Sequence, residues 1–313
     1  MTLPDRICDP HHHLWDLSPA RHYVVADLRA DLATVANVTQ TVFVECSAWY
    51  HQDGPEHLRE VGETEWVASN ADAVVAGIVG ATDLRLGSKT EVALHAHLDA
   101  AHGRFRGIRH RATWDASPQI KPSIPDSGPG LLRDPACRRG MAVLQSLGLM
   151  FDAWVYFPQL PDVVDLARTF PDLTIVLNHL GGPITLGPYH DRAAMLDRWR
   201  TLMTDVAACP NVVLKIGGIG MPIYGVPWSK QATAPAADEV AAFWRAPVQW
   251  CIEAFGAQRC MFESNFPVDR LSMSYATLWE AFDLLSTTCS PAERSALFHD
   301  TAVTTYRLDK GTS

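Results

Sequence analysis

Short runs of aliphatic and β-branched residues recur along the chain, and longer stretches with apolar residues at helical spacing lie between them. Eight runs read as strands: residues 6–9, 41–46, 74–80, 106–110, 149–155, 173–178, 212–216 and 259–263, most of them bounded by Gly, Pro or Asn. Helical spacing occupies residues 55–70, 91–102, 134–147, 191–208 and 239–255. This alternation predicts an α/β protein with parallel strands joined by helices. Eight such units bury every strand without an open edge when they close into a (β/α)8 TIM barrel, which takes ~250 residues as one domain. The expectation is one barrel domain over residues 1–313. Two irregular segments, 115–133 and 217–238, follow strands and so belong at the C-terminal face, where barrels carry their active sites.

Composition narrows the class. Hydrophobic residues make up 47% and charged residues 19%, which suits a globular protein with a large core. The formal charge of −9, with no basic stripe, argues against a nucleic-acid partner. No basic, apolar leader and no run of about 20 apolar residues is present, so the reading is a cytoplasmic protein with no membrane partner. Seven scattered cysteines without a C-x-x-C pair read as reduced, buried thiols. Nothing in the pattern fixes an oligomeric state.

The strongest chemical signal is DPHHHLWD, residues 9–16, where a strand ends in three histidines. A period of two puts His11 and His13 on one face and His12 on the other, a paired-ligand geometry. His95 and His97 also form H-x-H, but on a helical stretch they diverge by about 200° and read as surface or packing residues. A second signal, TIVLNHLGGP, ends the sixth strand in His179, which would face the first pair across the barrel mouth. A third, RCMFESNFPVDR, ends the eighth strand with Glu263 and Asn265 on a shared face.

These motifs, with FRGIRH, FDAWVYFPQL and VVLKIGGIG in the same order over about 250 residues, resemble the amidohydrolase superfamily. The resemblance is to its lactonase-like branch, which includes fuconolactonase and pyrone-dicarboxylate lactonase. It implies that His11, His13, His179 and Arg109 bind and polarise a carbonyl or carboxylate. It also places a family aspartate, a metal ligand or water-activating base, where this chain has Asn265. An amide has no basic lone pair at neutral pH, so Glu263 becomes the candidate base, with Glu45 and Asp152 in reserve. A pairing of Glu263 with Arg109 or Lys215 would hold its pKa too low for that work.

The expected activity is hydrolysis of a lactone by activated water. A metal-dependent decarboxylase of an aromatic or muconate-type acid and a non-catalytic ligand-binding barrel are the alternatives. The fifth-strand position that supplies a histidine ligand in the related decarboxylases falls in DAWVY, which has none. No tightly bound cofactor is therefore expected, with one zinc or manganese on His11, His13 and a carboxylate left open. For a small-molecule substrate the candidate binding residues are Glu45, Trp49, Asp152, Tyr156, Tyr224 and Trp228, and the aromatics predict walls suited to a flat ring.

Overall fold

The computed structural model describes residues 3–123 and 126–308. Residues 124–125, inside the irregular segment 115–133, lie outside the described residues. Eight strands form one sheet: β1 (Ile7–His12), β2 (Val38–Val44), β3 (Val75–Gly80), β4 (Phe105–Arg111), β5 (Met150–Trp154), β6 (Ile175–Leu177), β7 (Val212–Ile216) and β8 (Cys260–Phe262). They pair in sequence order, every pair parallel. The seam is closed by segments that follow the two end strands: Asn265 N–H donates to His11 O at 2.9 Å and His13 N–H to Phe266 O at 2.8 Å. The architecture is the expected (β/α)8 barrel.

Parallel strands buried on both faces read as apolar runs, as β6 and Val42–Val44 of β2 do, while β7 is apolar except for the buried Lys215. Their two faces feed two cores. Cys8, Val42, Val44, Val79, Met150, Val176 and Met261 come from six strands and can meet only inside the barrel, where Tyr306 and Val303 of the C-terminal segment join them. The larger cluster packs the outer strand faces against helices such as Pro135–Ser146, Leu160–Thr169, Arg192–Ala207 and Ala237–Phe255.

Three local departures from the sequence reading shape the mouth. The first strand runs on to His12, with an irregular register between Asp9 and His12, so the histidine triplet is the strand end itself. The eighth strand stops at Phe262, which leaves Glu263, Ser264 and Asn265 in the turn beyond it. An antiparallel hairpin, Trp15–Ser18 with Arg21–Tyr23, stands over the mouth; its strands are too short to show alternation in sequence. The segment 217–238 carries two short 3-10 turns, Pro222–Tyr224 and Trp228–Lys230, and buries Tyr224 and Trp228. No helix among the described residues is long and apolar enough to cross a membrane.

Candidate active site

At the end of β1 the three histidines separate as their alternation requires. The His12 ring turns outward, 3.0 Å from Thr41 Oγ1 and edge-on to Phe43. His11 points into the barrel, its ring 4.9 Å from that of His13 and 4.5 Å from that of His179. Asp9 fixes this strand end, accepting from Ser264 N–H at 2.9 Å and from Tyr275 O–H at 3.0 Å. Burial pushes the Asp9 carboxyl up to about 6, against those hydrogen bonds.

His13 lies 2.7 Å from the carbonyl oxygen of Val44 through Nδ1. A carbonyl only accepts, so His13 carries its proton on Nδ1 and leaves the Nε2 lone pair free. The same logic fixes His179. Its backbone N–H donates to Glu263 Oε1 at 3.2 Å, and its Nδ1 lies 2.6 Å from that oxygen. Oε1 is thus the acceptor and the ring proton sits on Nδ1. Tyr224 O–H donates to His179 O at 2.8 Å, and the edge of Trp154 meets the imidazole at 4.7 Å. His179 has a φ of 52°, a left-handed conformation that the glycine-rich turn after it accommodates.

Glu263 is fully buried behind these rings. Oε2 is 2.7 Å from His11 Nδ1 and 3.9 Å from Lys215 Nζ, and it has no hydrogen-bond partner of good geometry among the described residues. Gly217 makes room for it: a Cβ there would fall 2.1 Å from Glu263 Cγ. Burial raises the Glu263 carboxyl to about 8, with Lys215 opposing the shift. Burial also drives His11, His13 and His179 well below the ordinary histidine value, and the charge of Arg109 adds to the effect on all three. The imidazoles are neutral at pH 7.

Beneath them Lys215 Nζ donates to Asp152 Oδ2 at 2.8 Å and stands 3.3 Å from His11 Nδ1. Tyr306 O–H also donates to Asp152, at 3.0 Å. On the other side, Glu45 accepts at Oε1 from Arg109 Nε and Arg111 Nε, both at 2.7 Å. Burial alone would raise Glu45, but the two guanidiniums hold it at about 2.

A cavity of about 230 Å³ opens above this floor, walled by His13, His179, Arg109, Arg111, Arg21, Trp15, Trp154, Met221, Ser123 and Asn265 among others. Asn265 Nδ2 donates to Asp269 Oδ1 at 2.9 Å. That bond points the amide nitrogen away and leaves the amide oxygen as the acceptor. Asp269, whose other oxygen accepts from Gly220 N–H at 2.8 Å, is pushed up to about 8 by burial.

The geometry brings His11, His13, His179, Arg109, Glu263 and Asn265 to one end of the barrel, and it corrects several sequence expectations. Glu263 does not line the cavity, because the chain turns after Phe262 and aims the carboxylate at the imidazoles. His11 is likewise buried beneath the wall. Asp152 is the counter-ion of Lys215, and Glu45 of two arginines. Trp49 stacks on Trp66 with centroids 4.0 Å apart, Trp228 packs on Phe243 and Tyr224 on Trp244. Tyr156 donates its hydroxyl to Lys121 O at 2.6 Å. The walls come instead from Trp15, Trp154, Arg21 and Arg111. Arg111 was within reach of sequence reasoning, two residues beyond Arg109 on the same strand.

His11, His179 and Glu263 form the one group among the described residues spaced for a metal ion, with ligand atoms within 4.8 Å of one another. His13 stands outside it, so the ligand pair expected from sequence is replaced. Two neutral imidazoles and a carboxylate oxygen without a partner are a donor set compatible with one divalent ion. The neighbouring Lys215 and Arg109 charges oppose it.

The amidohydrolase family's sequence profile matches residues 8–308. The chain belongs to this family. The y4mH protein of Sinorhizobium fredii is 34% identical, covering 96% of this chain and 98% of its own length. An L-fucono-1,5-lactonase of Burkholderia multivorans is 30% identical over 76% of this chain and 73% of its own. A crystal structure of an amidohydrolase from Burkholderia multivorans with bound zinc superposes with a TM-score of 0.76 at 26% identity, covering 97% of this chain and 99% of that one. These relatives place this amidohydrolase in the lactonase-like branch.

Proposed function

We propose that this amidohydrolase opens a lactone, and that His179 takes the proton from the attacking water. The observation that supports the reading is the pair of outward lone pairs. His13 and His179 each commit Nδ1 to an acceptor, which presents two Nε2 acceptors to one cavity and suits them to hold a water by its two protons.

Arg109 lines the same cavity and places a fixed positive charge where the carbonyl oxygen gains negative charge. The water oxygen bonds to the carbonyl carbon as its proton passes to His179 Nε2. The tetrahedral intermediate then breaks its bond to the ring oxygen, and His179 returns the proton to that oxygen. The product is the open hydroxy acid. Glu263 is a positioning residue here: it holds the His179 tautomer and offsets the imidazolium charge. A divalent ion, when bound, would be held by His11, His179 and Glu263, and would polarise a carbonyl and acidify a water.

Purified protein is assayed against sugar, muconate-type and pyrone lactones with a pH indicator. Release of acid from at least one lactone, lowered ~10²–10⁴-fold in His179→Gln, is the expected result. No turnover of any lactone, by chelator-treated or zinc-supplemented protein, would overturn the proposal.

A further inference from the structure

In a chain of net charge −9, the cavity wall holds three arginines and, among the described residues, no Asp or Glu. Arg109 and Arg111 both pair with the carboxylate of Glu45 behind the wall. Arg21 is placed differently. It rises from the hairpin, its guanidinium lies 5.2 Å from the centroid of Trp15, and no described carboxylate pairs with it. Trp15 in turn stacks on His13 at 5.6 Å with an interplanar angle of 14°. The column Arg21–Trp15–His13 therefore carries a solvent-side cation over the imidazole that faces the proposed water.

A cavity of about 230 Å³ takes a single small ring rather than an extended chain. Positive walls of this density attract an anion, and a guanidinium matches a carboxylate with two parallel hydrogen bonds. We propose that the ring this site accepts carries a carboxylate, and that Arg21 is the residue that selects it. This inference rests on the lactonase reading for the identity of the ring, while Arg109 serves the reacting carbonyl. Arg21 is an exposed hairpin residue. Replacing it removes charge without opening the core.

Two matched rings test the proposal: γ-butyrolactone, and its counterpart bearing a carboxylate on the ring carbon beside the ring oxygen. A charge-assisted contact of ~1.5–3 kcal/mol corresponds to about ten-fold or more in KM. The carboxylated ring is expected to be preferred by that factor. Arg21→Gln raises its KM about ten-fold relative to any change with the neutral ring, and Arg21→Lys restores part of the difference. Equal kcat/KM for the two rings, or an equal effect of Arg21→Gln on both, overturns carboxylate selection and leaves the lactonase reading standing. Calorimetry with furoate, a ring carboxylate that cannot be hydrolysed, separates the other failure. Furoate binding that Arg21→Gln weakens, in protein that opens no lactone, keeps the anion site and removes the lactonase reading. Furoate binding indifferent to Arg21 removes the site.

Discussion

Glu45 and Glu263 follow β2 and β8, the two strands flanking β1, and both are buried at the same barrel mouth. Glu45 is held at about 2 and Glu263 is raised to about 8. Desolvation pushes both upward, so the partner decides. Glu45 meets two guanidiniums that stay charged at any working pH, which fixes it as an anion that ties β2 to β4. Glu263 meets two imidazoles and a lysine already paired with Asp152. Its proton affinity stays near that of a histidine. One buried acid is thereby structural, and the other can answer a proton moving on its neighbour.

Removing the structural acid gives the largest effect. Glu45→Gln leaves two buried guanidiniums without their carboxylate and costs ~3–5 kcal/mol, read as a lower urea midpoint at unchanged slope. A loss under about 1 kcal/mol would show that the arginines find another anion.

The pH profile sharpens the same contrast. Glu263 must be ionised to offset the imidazolium charge that forms on His179, and its folded pKa is raised, so activity is lost as pH falls through that raised value. The kcat/KM acid limb is expected above the usual carboxylate range, towards about 8, falling about ten-fold per unit below it. A rate flat down to pH 5 would mean that Glu263 titrates as Glu45 does.

Asn265→Asp gives the smallest change, less than about ten-fold in kcat. The new carboxyl would face Asp269, and two adjacent carboxyls share a proton, so little negative charge is added. Loss of all activity would give the amide oxygen a larger part.

Much of this was legible in sequence because it followed strand period. The eight strands come from their apolar runs and the divergence of His11 and His12 from alternation within β1, whereas His179 reaches the mouth from a turn two residues past the end of β6. Where the strand stops, alternation stops with it. The break after Phe262 sends Glu263 towards the imidazoles, which residue spacing alone could not foretell. Tyr224 and Trp228 were expected at the pocket from their place in a long loop, yet they are consumed in packing that loop. Lys215 meets Asp152 across 63 positions and Tyr306 meets it across 154, and no local pattern announces such pairs. Arg21 sits on a hairpin whose strands have four and three residues.

In the proposed proton path His179 and Glu263 work as one unit, and a double-mutant cycle on kcat/KM for the best lactone tests that directly. A Gln at 263 offers its amide to His179 Nδ1 and favours the tautomer with no lone pair at Nε2, so Glu263→Gln should cost ~10²–10⁴-fold, as His179→Gln does. The double variant should be no slower than the worse single one. Losses that multiply would show that the two residues act independently, and would contradict the proton path.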